Sequence, residues 1–181
     1  MVLLGYLLWF SKINVVPHLI SVAISSQGEE FPDIDRSELS PTQDSIVMIV
    51  EAEFKAQPDY RKYSEGTDEP WCADFVSWVY KSAGVPFSNP NSGSWRIPGT
   101  YTLRDYLNDS GRLNDGEAYR PKTGDLVLYD NPNSFGQHVN IVLSVNEEGS
   151  ITTVGGNEPG GIRVKTHEAD EEPGFVGYGV L

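Results

Sequence analysis

Apolar residues recur along this chain at two different periods, and the change of period divides it. Ile46, Ile49, Val50 and Phe54 fall at helical spacing, and so do Cys72, Phe75, Val76, Val79 and Ala83. The pattern predicts one helix over SPTQDSIVMIVEAEFKAQ, with Ser40 able to cap it, Pro41 suited to its first turn and Asp44 favouring its N-terminal dipole. It predicts a second over WCADFVSWVYKSAG, opened by Pro70 and ended by Gly84 and Pro86. Residues 85–122 are rich in Gly, Pro, Ser and Asn, with a short helix at TLRDYLNDSG. From residue 123 on, β-branched runs take over: GDLVLYD, HVNIVLSVN, SITTVGGN, IRVKT and FVGYGVL, divided by turns such as NPNSFG, NEEGS and NEPGG. Helices first and antiparallel strands afterwards predict an α+β domain.

The N-terminal pattern is different again. Residues 2–10 read VLLGYLLWF and residues 13–24 read INVVPHLISVAI, with Lys12 the one cation and no acidic residue before Gln27. Two readings stand. One is a signal peptide, with Ala23 and Ser25 forming an A-x-S cleavage pattern, although no basic residue precedes the apolar run. The other is a membrane anchor through residues 2–25, against which Lys12 and Pro17 both count. Either makes the protein secreted or held at the cell envelope. The expected organisation is a signal peptide or anchor over 1–27, a polar linker over 28–40 and one folded domain over 41–181, acting as a monomer.

Composition narrows the function. The chain has 181 residues, 39% of them hydrophobic and 22% charged, which is ordinary for a folded protein. Its 13 Lys and Arg against 26 Asp and Glu give a net charge of −13. That excess argues against nucleic-acid binding and against an electrostatic hold on anionic membranes or wall polymers. Cys72 is the single cysteine, so no internal disulfide and no cysteine-based metal cluster can form. No cofactor and no metal are expected.

Candidate chemistry starts at Cys72. It sits in the first turn of a helix, where unpaired backbone N–H groups favour thiolate over thiol and can also stabilise an oxyanion. A lone cysteine among apolar helix residues is ordinarily an inert small hydrophobe. His138 changes the weighing. It opens the strand HVNIVLSV, where a base is held firmly near the rim of a sheet. His18 lies in the N-terminal segment, and His167 sits in THEADEEPG, read as a solvated acidic turn. Asn157 ends the strand SITTVGGN, where an amide can fix the tautomer of an imidazole, although a turn asparagine needs no such role. The case is the conjunction: nucleophile, base and orienter occur in that order at a helix start, a strand start and a strand end. Trp71, Trp95 and Tyr129, with Tyr101, are candidates to line a substrate cleft, core packing being the competing role. SNPNSGSWRIPGT reads as a gating loop or a plain surface loop.

These segments resemble the CHAP family, the cysteine, histidine-dependent amidohydrolases/peptidases of the papain-fold group. EPWCADFVSWVYKSAG is similar to the family's Trp-Cys helix, PKTGDLVLYD to its Pro-x-x-Gly-Asp strand start, and QHVNIVLSV followed by ITTVGGN to its histidine strand and Gly-Asn strand end. The resemblance spans residues 69–157. It implies a papain-like fold with N-terminal helices packed on an antiparallel sheet, and it implies Cys72 as nucleophile, His138 as general base and then acid, and Asn157 as orienter. It also implies peptidoglycan or a peptide as substrate, cleaved at the muramoyl-L-alanine amide or within the peptide stem or cross-bridge. The oxyanion would be met by the Cys72 N–H and one further donor that the sequence does not identify.

Two departures from the family pattern matter. Gly155 stands where some members carry an acidic residue, which makes Glu158 a second candidate to orient His138. Asp59 and Asp68 are too far apart for the calcium loop of some phage members. Two other functions remain open on sequence grounds: a cysteine peptidase or amidase on a non-wall substrate, and a non-catalytic binding module.

Overall fold

The computed structural model describes residues 30–115, 118–133 and 136–181. The N-terminal segment read as a signal or anchor lies outside the described residues. Three helices, α1 (Pro41–Ala56), α2 (Cys72–Ser82) and α3 (Thr100–Asp109), precede nearly all of the sheet. The strands are β1 (Leu113–Asn114), β2 (Leu126–Asn131), β3 (Gly136–Val145), β4 (Ile151–Glu158), β5 (Gly161–His167) and β6 (Phe175–Gly179). They form one antiparallel sheet in the order β1-β6-β2-β3-β4-β5. This is the α+β architecture that the two periods of the sequence predict. Among the described residues, no helix is long and apolar enough to cross a membrane.

Local chemistry fixes where α1 begins and ends. The Ser40 hydroxyl accepts from the Gln43 N–H, and the Gln43 side chain accepts in return from the Ser40 N–H, a reciprocal capping box. At the other end, Gln57 turns left-handed (φ 43°) and its side chain pairs with the backbone N–H and C=O of Ile162, at 2.9 and 2.8 Å. The end of α1 is thereby tied to β5. Before α1, residues 30–40 have no regular structure apart from one turn, and Phe31 and Ile34 rest against the core.

The core lies between α2 and the sheet, with α2 packed across β3 and β4. The sequence predicts one apolar face for α2, but the structure also buries Ala73, Asp74, Ser77 and Tyr80. The reason is the segment 85–99, which folds back along the helix. Ile97 is wholly buried, its N–H donates to the Ser77 hydroxyl at 3.1 Å, and Arg96 pairs with Asp74 at 2.8 Å and with Glu69. The region read as a gate is therefore riveted to α2. The two-residue β1 is too short to leave a periodic signal in the sequence. His167 is not in a solvated turn: it ends β5, half-buried, and its Nε2 is 2.7 Å from the Tyr129 hydroxyl.

Gly156 in β4 sets how closely α2 approaches the sheet. A methyl group there would lie 2.5 Å from the Trp71 ring and 2.7 Å from Cβ of Phe75. Both neighbours are buried, so neither can swing aside into solvent. Overpacking of this kind costs about 1–3 kcal/mol. Gly156→Ala is expected to lower the unfolding free energy by that amount, read in equilibrium urea unfolding as a lower midpoint at an unchanged slope.

Candidate active site

Cys72 is the first residue of α2, and no side chain caps that end of the helix. Its backbone N–H is one of the donors a helix start leaves without an intrahelical partner. Cys72 is 4% exposed, and it lines a cleft of about 1320 Å³ whose walls come from residues 98–102, the ends of β2 and β4, the start of β3, and β5. The imidazole of His138, from the start of β3, faces the sulfur, and each group shifts the ionisation of the other. Thus 66 positions of intervening chain return to bring base and thiol together, as the sequence order of the two residues requires. The sulfur also meets the Thr100 hydroxyl at 3.6 Å, and the backbone N–H of Val139 favours its charged form.

The other side of the imidazole meets a carboxylate. His138 Nε2 is 2.8 Å from Glu158 Oε1, which leaves Nδ1 for the sulfur. Asn157, put forward as orienter, is exposed and lies on the cleft wall with a left-handed backbone (φ 61°). The cause is a bulge in β4. Gly155 pairs with Arg163 and Glu158 with Gly161, so three steps on β4 match two on β5. One extra residue shifts the alternation of side chains, and Glu158 takes the face that Asn157 would otherwise occupy. The second candidate of the sequence reading is therefore the group on the ring.

Gly155 explains why the carboxylate can arrive from further along the strand. A methyl group at Gly155 would lie 1.9 Å from Asn140 Oδ1 and 3.0 Å from Glu158 Oε1. The missing side chain leaves the room in which Asn140 and Glu158 meet, with Asn140 Nδ2 donating to Glu158 Oε1 at 3.3 Å. Asn140 follows His138 by two residues on β3 and so shares its face. Its signal was legible as one polar residue inside an otherwise apolar run. Thr100 gave no such signal, because only the fold brings it to the sulfur.

Charge follows from these contacts. Burial pushes the Cys72 thiol up, but the hydrogen bond and charge of His138, with the Thr100 hydroxyl and the Val139 N–H, outweigh it and hold the thiol below its ordinary value. Burial also works against an imidazolium at His138, yet its bonds to Cys72 and Glu158 raise it to about 9. Glu158 is raised by burial and lowered more by His138 and Asn140, ending below the usual carboxylate range. The shifts all run toward thiolate, imidazolium and carboxylate in a row. Such a row can add sulfur to a carbonyl and protonate the departing group. Among the described residues, no cluster of His, Cys, Asp and Glu could hold a metal ion.

The aromatic candidates divide. Tyr129 lines the cleft, directly opposite His138 in the β2–β3 register. Trp71 is buried in the core, stacked on Tyr63 at 5.5 Å and on Tyr60 at 6.0 Å, with its ring also against Gly156 of β4. Trp95 lies under the Lys81 ammonium, 4.2 Å from its ring centre, and is not part of the cleft lining. Tyr101, half exposed at the cleft mouth, donates its hydroxyl to Asp130 at 3.2 Å.

Comparison with known proteins gives one family. The family model of the CHAP domain matches residues 63–157, just over half of the chain, from the turn before α2 to the bulge of β4. Neither a curated protein nor a solved structure matches. The matched span contains Cys72, His138 and the strands that carry the cleft, and its family is one of hydrolases with peptidoglycan as the characteristic substrate. With the sheet, the helix order and the matched span in agreement, this chain belongs to the CHAP domain family.

Proposed function

We propose that the protein is an extracytoplasmic peptidoglycan hydrolase that cleaves an amide bond with the thiolate of Cys72. The observation that carries this reading is the line of side chains from Cys72 through His138 to Glu158, the last two hydrogen-bonded, opening onto a cleft. In the reaction, the thiolate adds to the amide carbonyl carbon. The His138 imidazolium gives its proton to the leaving amine, and the neutral imidazole then takes a proton from the water that resolves the thioester. Glu158 keeps the imidazole in the tautomer and orientation that this exchange needs. The bond is the muramoyl-L-alanine amide or one within the stem or cross-bridge, and the cleft is open enough for a branched glycopeptide. Residues 1–27 serve as the export signal or anchor.

The direct test is amine release from purified peptidoglycan, with mass spectrometry of the fragments to identify the bond. Cys72→Ala and His138→Ala are expected to abolish release while leaving the circular dichroism spectrum unchanged. Full activity in either variant, or turnover confined to small amides, overturns the reading.

The orienter is tested by comparison. Glu158→Gln keeps shape but removes the charge, and is expected to lower the rate by about 10²-fold, the lower end of what a positioned acid–base pair contributes. Asn157→Ala is expected to stay within about threefold of the wild type, since the group bonded to the ring is the Glu158 carboxylate.

Activity needs Cys72 deprotonated and His138 protonated. It should rise with pH through the lowered thiol ionisation and fall as pH passes about 9, where His138 loses its proton. The pH profile of kcat/KM checks this. His138→Ala should move the midpoint of iodoacetamide alkylation up, because burial of the sulfur is then opposed by fewer partners.

A further inference from the structure

We infer that Thr100 is a catalytic residue, the second oxyanion donor beside the Cys72 backbone N–H; this rests on the hydrolase reading above. Cys72 and Thr100 are the first residues of α2 and α3, and their side chains meet at 3.6 Å in a buried contact. The oxygen of a carbonyl attacked by this sulfur is only two bonds from it. A hydroxyl already touching the sulfur therefore reaches that oxygen with a small rotation about its own side chain. Thr100 also lines the cleft through which the carbonyl would arrive.

The fold holds this donor in place. Three residues before Thr100, Ile97 is wholly buried and bonded through its N–H to Ser77 of α2. Arg96 grips Asp74 and Glu69, which flank Cys72 on either side in the chain. On the far side, Tyr101 is bonded to Asp130 at the end of β2. The threonine is thus fixed relative to the sulfur from both directions, as a preorganised donor must be.

In the step, the thiolate sulfur forms a bond to the carbonyl carbon and the carbonyl π pair moves onto oxygen. The Thr100 O–H and the Cys72 N–H donate to that oxyanion without giving up their protons. Collapse restores the carbonyl, expels the leaving group with its electron pair and leaves the thioester.

The test uses two reagents that need the same thiolate but different transition states. Acylation by p-nitrophenyl acetate passes through an oxyanion, whereas alkylation by iodoacetamide does not. In Thr100→Val, which keeps the shape, acylation of the full chain at pH 8 is expected to fall at least about tenfold relative to alkylation, toward the 10²–10³ typical of one lost donor. Thr100→Ser is expected to restore the ratio. A Thr100→Val ratio within about threefold of wild type overturns the proposal, as does an equal loss in the serine variant, which would mark a packing role. A wild-type thiol that alkylates independently of His138 would instead overturn the hydrolase reading, and the two failures are told apart by that control. A thermal melt of each variant confirms that it is folded.

Discussion

Two buried groups that each disfavour charge are drawn toward it because they face one another. Burial alone would leave Cys72 as a thiol and His138 as a neutral ring. Their mutual contact reverses both preferences, and Glu158 on the far nitrogen carries the reversal further. The interaction is strong for the same reason that it is demanding: with water largely excluded, a hydrogen bond between opposite charges is worth more, and a missing partner costs more. Much of the remaining structure can be understood as keeping these three side chains in line. α2 is held against β4 by the absence of a side chain at Gly156, and the His138 end of β3 is held by its pairing with β2.

The carboxylate shows how a sheet can be altered to place one group. Gly155, Asn140 and Glu158 form a set in which each residue needs the other two. Without the bulge, Glu158 would point away from the ring. With a side chain at position 155, Asn140 and Glu158 would collide with it. Asn140 in turn holds the oxygen that faces the imidazole. A change at any one of the three is therefore coupled to the others, and such neighbours are expected to respond together and not additively.

The sequence made the elements legible because their causes are local. Ser40 and Gln43 cap α1, the helical spacing of Phe75, Val76 and Val79 marks α2, and the alternation in HVNIVLSV marks β3. Cys72 and His138 could be picked out because each sits at the start of such an element. What escaped depends on distant contacts. Whether Asn157 or Glu158 meets the ring turns on a single inserted residue, which pairing with β5 reveals and periodicity does not. Trp71 and Trp95 carry aromatic rings suited to a cleft, but the neighbours that claim them, Tyr63 and Lys81, are set by packing. Thr100 reaches the sulfur from 28 positions further on, beyond a Gly- and Pro-rich stretch that reads as a gating or surface loop.

That loop bears on how the protein can change. In many enzymes, contacts that stiffen the fold slow the reaction, because the chemistry needs parts that move. Here the bonds that fasten segment 85–99 to α2, through Ser77, Asp74 and Glu69, are the same ones that hold the start of α3 beside the sulfur. Rigidity and reactivity share one set of contacts, so the usual opposition between durability and turnover is relaxed along this seam. On the role proposed for Thr100, tightening this seam would serve both.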